Sequence, residues 1–336
     1  MKIWYDITNT PQVHFLLAID RIIREISLDV QSDYTAREFS ETSKMLARVL
    51  GEGNFRTIGK HYGKSYLKKV SGLFARFGEL SRLDLEYDVS ISCGSEGAIW
   101  KSFLDRKFSI AFGDNDQARQ WTYSPFVKYA FFPKAIDYSI LKRQGLGRKL
   151  YQYDGVKEDI YLSFYNPDKT FLESLPFDHY VVVRPENVMA NYIRNGRVQS
   201  ITPLLLKELD KAGYNILYLP RYGIDMSYSS GIKNIFIPDH PLNGLDACYY
   251  SDAVLTGAGT FAREAACMGV PSFSFYSGKQ LLAVDRDLIK QGKMFFSRQV
   301  HELIARLIAS KRTYSDMSRC LAVKEEVALK LKELLF

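Results

Sequence analysis

The 336-residue chain has no run of about 18 consecutive apolar residues, so no membrane-spanning helix is expected. It has little cysteine: Cys93, Cys248, Cys267 and Cys320 stand far apart in apolar surroundings. Without a CxxC or Cys/His cluster, neither a metal site nor a redox pair is expected, and buried thiols fit a reducing compartment. It has no recognised nucleic-acid motif, although the formal net charge is +7. That surplus of cations fits an anionic ligand or an acidic membrane surface, and nucleic acid is not expected as a partner. The start, MKIWYDITNTP, reads as a strand and a turn rather than a signal peptide, which makes a cytoplasmic location the expectation.

Strands and helices alternate along most of what remains. The stretch from Tyr249 to Phe275, YYSDAVLTGAGTFAREAACMGVPSFSF, is the most informative. Ala253 to Thr256 reads as a buried strand, Thr260 to Met268 as a compact helix, and Pro271 to Phe275 as the next strand. Gly269 suits a left-handed helix cap, and Pro271 prevents the helix from continuing. Gly257-Ala258-Gly259 therefore falls between a strand's carboxyl end and a helix's N-terminus, where free N–H groups and the helix dipole favour an anion. Thr260 can cap that helix or donate its hydroxyl to a phosphate. Glu264, one turn on, suits ribose hydroxyls. A tight turn in any α/β protein can also use G-x-G, so this motif alone leaves a bare turn open.

Other strand ends carry further candidates. A first strand over Lys2 to Tyr5 leads into Asp6, Asn9, Thr10 and His14, ahead of a helix running to about Ile26 with Pro11 in an early position. His14 can serve the site or simply pack against that helix. A second strand over Asp29 to Thr35 and a third over Phe55 to Ile58 flank a helix from about Glu38 to Leu50. Lys60 to Arg82 is the most basic stretch. It reads as an ordinary amphipathic helix or as a surface for lipid headgroups or a polyanionic acceptor. Gly94, Ser95 and Glu96 follow a strand at Tyr87 to Ser92, and Asp114 follows one at Phe108 to Phe112. An acid there can act as a base, accept a sugar hydroxyl, or cap a turn. Asn166-Pro167-Asp168 looks like a linker. In the second half, Arg184 and Arg221 end successive strands, where a guanidinium suits a diphosphate or a surface ion pair. Glu186 and Tyr276 also follow strands. His240 and Asp246 are expected to flank a short helix.

The pattern GxGTxxREAxxxGVP, as GAGTFAREAACMGVP, resembles the nucleotide-binding segment of GT-B-type nucleotide-sugar enzymes. These include the UDP-N-acetylglucosamine 2-epimerases and the membrane-associated N-acetylglucosaminyl transferase of peptidoglycan synthesis. More closely, with WYDITNTPQVHF at the start, the chain resembles an uncharacterised, mainly archaeal prokaryotic family related to them. The resemblance spans almost the whole chain and departs from the family at Ala258, where glycine is commoner. It implies a GT-B-like α/β fold of two doubly wound Rossmann-type domains facing a central cleft, residues 1–163 on the acceptor side and 164–336 binding the nucleotide-sugar. It further implies a C-terminal helix that packs back on the first domain. By resemblance, Gly257, Ala258, Gly259 and Thr260 hold the diphosphate and Glu264 the ribose. His61 becomes a second candidate because the family tends to carry His-x-Gly there. Gly155, Lys157 and Glu158 match a motif on the cleft wall.

Three functions remain open. A glycosyltransferase would use His14 or Asp114 as base with Arg184 and the glycine turn on the leaving diphosphate, needing no metal and no prosthetic group beyond a nucleotide-sugar donor, UDP-linked by resemblance. A UDP-sugar 2-epimerase would use the same nucleotide site with carboxylates drawn from Asp6, Glu96, Asp114 and Glu186. A non-catalytic nucleotide-sugar or polyanion-binding protein would use the basic helix. The sequence sets neither the sugar nor the oligomeric state.

Overall fold

A computed structural model describes residues 1–38, 42–59, 66–186, 199–221, 223–312 and 317–336, with the side chains of 66–69 also outside the description. The chain divides into two units, Met1–Ser163 with Arg319–Phe336, and Phe164–Ser318.

The first unit alternates β1 (Lys2–Ile7), α1 (Pro11–Ile26), β2 (Gln31–Ala36), α2 (Thr42–Leu50), β3 (Arg56–Thr57), α3 (Tyr66–Ser81), β4 (Val89–Ser92), α4 (Glu96–Leu104), β5 (Phe108–Phe112), β6 (Tyr129–Pro133), α5 (Tyr138–Arg143), β7 (Leu150–Tyr153) and α6 (Lys157–Leu162). Its parallel sheet has the order β3-β2-β1-β4-β5-β6-β7. The inner strands are buried along most of their length because helices cover both faces of such a sheet. Helix α1 buries Val13, Phe15, Leu16, Ile19, Ile22 and Ile23, the i, i+3, i+4 stripe of an amphipathic helix. Phe15 packs edge-on against Phe112, which stacks on Phe131, at centroid distances of 5.1 and 4.7 Å.

The second unit contains β8 (Val181–Arg184), α7 (Thr202–Lys211), β9 (Ile216–Tyr218), α8 (Gly223–Met226), β10 (Ile235–Phe236), α9 (Gly244–Tyr250), β11 (Ala253–Thr256), α10 (Gly259–Cys267), β12 (Ser272–Ser274), α11 (Ala283–Lys290), β13 (Met294–Phe296) and α12 (Val300–Ala309). Its parallel sheet runs β10-β9-β8-β11-β12-β13, repeating the order of the first six strands of the other sheet. Val181, Val183, Leu255 and Phe273 pack with Leu205, Leu209, Leu303 and Leu307 in its core. Each unit is therefore a doubly wound Rossmann-like domain, as the strand–helix alternation implied.

Helix α13 (Ser318–Leu335) belongs to the first unit. Its Glu326 accepts from the Asp154 amide at 2.9 Å and the Tyr151 hydroxyl at 3.1 Å. Val323 comes so close to Gly155 that a Cβ there would lie 2.5 Å from its Cγ2. Helix packing therefore leaves room only for glycine at 155.

Some elements differ from the sequence reading. Residues 150–153 form a strand and 157–162 a helix that the sequence motif had obscured. Asp246 lies inside α9, where it accepts from the Tyr165 hydroxyl and the Asp168 amide, so the Asn166–Asp168 segment is anchored.

Candidate functional site

In both sheets the strand order reverses next to the first strand, between β1 and β4 and between β8 and β11. Ligands of open α/β sheets bind outside the carboxyl ends of the strands at such reversals. The second unit is described first.

Strand β8 ends in Arg184 and β11 in Thr256, with the Gly257 amide donating to the Arg184 carbonyl at 3.0 Å. A Cβ on Gly257 would lie 2.5 Å from the Glu186 Cα, so only glycine lets the two loops approach. Ala258 takes φ −106° and ψ 116°, extended backbone open to alanine, which accommodates the departure from the family pattern. It occupies the cap position of α10, and its amide donates to Thr256 Oγ1 at 2.9 Å. Thr260 therefore does not cap this helix; its Oγ1 accepts from Arg263 at 3.3 Å. The first rung of α10 is Ala262 N–H to the Ala258 carbonyl, 3.1 Å. The amides of Gly259, Thr260 and Phe261 precede that rung at the positive end of the helix dipole. Gly269 has φ 72°, the left-handed cap read from the sequence.

The charges around this turn divide into two sets. Arg263 and Asp285 form a buried ion pair at 2.8 Å that ties α10 to α11, a buttress the sequence reading missed. Arg184 is different. Among the described residues it makes no ion pair, its Nε is buried without a hydrogen-bond partner, and its guanidinium lies 5.1 Å over the Phe261 ring. Burial and the neighbouring positive Arg221 push its pKa down to about 10, against the pull of Glu264. Two arginines thus converge beside the open helix end, with the Glu264 carboxylate near them. Tyr276 is half-buried in the loop after β12. The Glu186 carboxylate, by contrast, is committed to the scaffold. It accepts from Ser200 Oγ at 2.7 Å, the Ile201 amide at 3.1 Å, Thr202 Oγ1 at 2.8 Å and Arg298 at 3.3 Å, so it is not a group left over for substrate.

In the first unit, Asp6 is fully buried and held by both Nη atoms of Arg76, at 2.6 and 3.0 Å, and by the Thr35 hydroxyl at 2.6 Å. Trp4 Nε1 donates to the same Thr35 oxygen at 2.8 Å. Burial works to raise the Asp6 pKa, but Arg76 and the hydroxyls outweigh it and hold it below the ordinary carboxylate range. Asp6, one of the carboxylates considered for an epimerase, is therefore held ionised within the scaffold by these groups. Ser95 Oγ accepts from Arg76 at 3.2 Å, and Gly94 turns at φ 71° against the Tyr123 ring. Glu96 opens α4 and accepts from the Thr122 hydroxyl at 3.2 Å. Arg37, at the end of β2, joins this group. Burial and Arg76 lower its pKa while Asp6 and Glu96 raise it.

His14 lies on the first turns of α1, stacked on Tyr161 of α6 at 6.0 Å, and burial lowers its pKa. Asn9 Oδ1 is buried without a partner among the described residues, and Thr10 Oγ1 meets Thr42 Oγ1 at 3.1 Å. Asp114 pairs with Lys157 at 2.7 Å, near Cys93, whose thiol burial pushes up to about 12. His61 lies outside the described residues. Among the described residues no group of three or more His, Cys, Asp or Glu could hold a metal ion. A surface hollow lined by Lys2, Val30, Gln31 and Asp88 lies at the opposite, amino ends of the strands.

The family described as Protein of unknown function (DUF354) matches residues 1–328. The uncharacterized protein MJ0665 of Methanocaldococcus jannaschii is 25% identical over 325 residues, covering 90% of each chain. A UDP-GlcNAc 2-epimerase of Methanocaldococcus jannaschii, solved with UDP-GlcNAc and UDP, superposes with a TM-score of 0.69 at 13% identity over 98% of this chain and 99% of its own. MurG of Acinetobacter baumannii does so with a TM-score of 0.55 at 10% identity, over 100% and 99%. At such identities the likeness to solved structures shows the fold, that of GT-B epimerases and transferases.

Proposed function

We propose that this chain, which belongs to the DUF354 family, is a nucleotide-sugar-dependent glycosyltransferase of the GT-B type. The observation that carries the reading is Arg184: a buried cation without an ion pair among the described residues, beside Arg221 and the open N-terminus of α10. A diphosphate supplies the negative charge this arrangement lacks, and Glu264 is the acceptor for the ribose hydroxyls next to it. Nucleotide-sugars are what the epimerase neighbour carries, which supports a UDP-linked donor. In a transfer reaction Arg184, Arg221 and the α10 amides would stabilise the departing diphosphate.

The acceptor chemistry is assigned to the first unit. His14 has its pKa lowered by burial, so its imidazole is neutral at pH 7 and able to take a proton from an acceptor hydroxyl. An epimerase reading has fewer groups to draw on. Asp6 and Glu186 are occupied in the scaffold, which leaves Glu96 and Asp114. Asp114, held by Lys157, is the observation that keeps this second reading in view.

His14→Ala tests the assignment. Release of UDP and transfer of labelled sugar from UDP-GlcNAc should fall by about 10²–10⁴-fold in kcat with UDP affinity unchanged. In the wild-type enzyme the acid limb of kcat/KM should lie below the ordinary imidazole range, since activity needs the neutral imidazole and burial lowers its pKa. Full activity in the variant removes His14 from the chemistry, and conversion of UDP-GlcNAc to its 2-epimer would select the epimerase.

A further inference from the structure

We propose that the first unit rests on an acidic lipid bilayer through an aromatic face formed by α3, α4 and the loop over 119–128. Four large side chains stand out in solvent there: Phe74 is 59% exposed, Phe103 50%, Leu104 64% and Trp121 59%. Phe74 and Phe103 are joined through a chain of rings. Phe74 meets Trp100 at 5.9 Å, Trp100 meets Phe126 at 6.4 Å, and Phe126 meets Phe103 at 5.1 Å. Trp100 Nε1 donates to the Thr122 carbonyl at 3.0 Å, fixing the loop that carries Trp121. A continuous exposed aromatic surface of this kind marks an interaction site.

Basic residues flank it in the chain: Arg106 and Lys107 follow Leu104, Arg119 precedes Trp121, and Lys128 follows Phe126. The carboxylate among them, Asp105, is engaged by Lys101 at 2.9 Å and by the Tyr87 hydroxyl at 2.6 Å. Arg106 is an independent pointer. It sits just past the C-terminus of α4 with φ 57°, the one non-glycine positive φ among the described residues. Its amide donates to the Phe103 carbonyl at 3.2 Å and that of Lys107 to the Ser102 carbonyl at 2.8 Å, the bonding of a Schellman cap. Glycine takes that conformation without strain. Arginine keeps a cation beside Phe103 and Leu104 at the cost of a strained backbone.

Exposed aromatic rings with basic neighbours in the chain match the boundary between anionic headgroups and acyl chains, where rings insert and Lys and Arg meet lipid phosphates. A second copy of the chain fits less well, because symmetric pairing would bring like-charged rims together. No helix among the described residues is long and apolar enough to cross a membrane, so the contact lies on the surface. The basic stretch read from the sequence supplies part of this face through α3. The proposal stands on this unit alone and needs no nucleotide.

Full-length protein is sedimented with vesicles of phosphatidylcholine, with and without 50% phosphatidylglycerol. Partitioning should be at least tenfold greater on the acidic vesicles and should be accompanied by a blue shift of tryptophan emission that Trp121→Ser removes. Phe74→Ser combined with Trp121→Ser should weaken partitioning at least tenfold. Arg106→Gly should raise the melting temperature yet weaken partitioning about fivefold, a split that a purely structural arginine would not give. Absence of wild-type sedimentation, unchanged partitioning in these variants, or a solution dimer abolished by the aromatic substitutions would overturn the proposal.

Discussion

Arg76→Ala is expected to destabilise the first unit by about 3–5 kcal/mol, since removing one partner of a buried ion pair leaves the other charge without compensation. The Arg76 guanidinium binds Asp6 through both Nη atoms and also reaches Ser95 Oγ and the Ile58 carbonyl. It therefore holds β1, the loop before α3 and the start of α4 at one point. The pH dependence carries a sign. Asp6 has a folded pKa below its unfolded one, so its contribution is complete above about pH 4 and is lost as pH falls through the folded value. In the variant the Thr35 and Ser95 hydroxyls remain, but without the Arg76 charge burial is expected to outweigh them and raise the Asp6 pKa above its unfolded value. The deficit should then be largest near pH 7.5 and narrow toward pH 5, as measured by urea unfolding. Asp6→Asn combined with Arg76→Met should recover part of the loss. Equal unfolding midpoints for Arg76→Ala and wild type would remove the pair from the scaffold.

Arg184→Met is expected to act in the opposite direction on stability and to weaken the ligand response. The methionine keeps apolar contact with Phe261 and removes a buried cation repelled by Arg221. The apo variant should melt at the wild-type temperature or above it, as happens when a residue is retained for binding at the expense of stability. Its affinity for a nucleoside diphosphate should drop about 10–100-fold, the loss of a charge-assisted hydrogen bond worth roughly 1.5–3 kcal/mol. Thermal shift with and without UDP reads both effects. A destabilised apo variant that keeps its ligand shift would make Arg184 an ordinary structural cation.

The contrast between these two arginines shows what the sequence could disclose. Arg184 was legible because the signal is local: an apolar run, HYVVVR, ends in a charge at the strand's carboxyl end. The glycine turn and Gly269 were legible for the same reason, since strand, turn, helix and cap follow within about twenty residues. Arg76 was not. It lies in a basic stretch that reads as an amphipathic or lipid-facing helix, and its partner Asp6 is 70 residues away in the chain. Asp6 accordingly looked like a strand-end carboxylate open to an epimerase's chemistry.

Arg263 with Asp285 and Gly155 with Val323 repeat that lesson, each pairing elements whose contact depends on the completed fold. Glu186 was placed at the right sheet edge, yet the groups that occupy it come from the start of α7 and from Arg298. Sequence position found the strand ends at which these groups lie. Deciding which polar groups there are already satisfied required the structure.

Calorimetric titration of the purified chain with UDP, GDP, CDP, dTDP and ADP, repeated on Glu264→Ala, tests the nucleotide site most directly. Selective binding of one diphosphate, UDP by the present reading, with affinity lost in the variant, is the predicted result. No heat from any of the five, or equal binding by the variant, would contradict it and return Gly257-Ala258-Gly259 to the role of a tight turn.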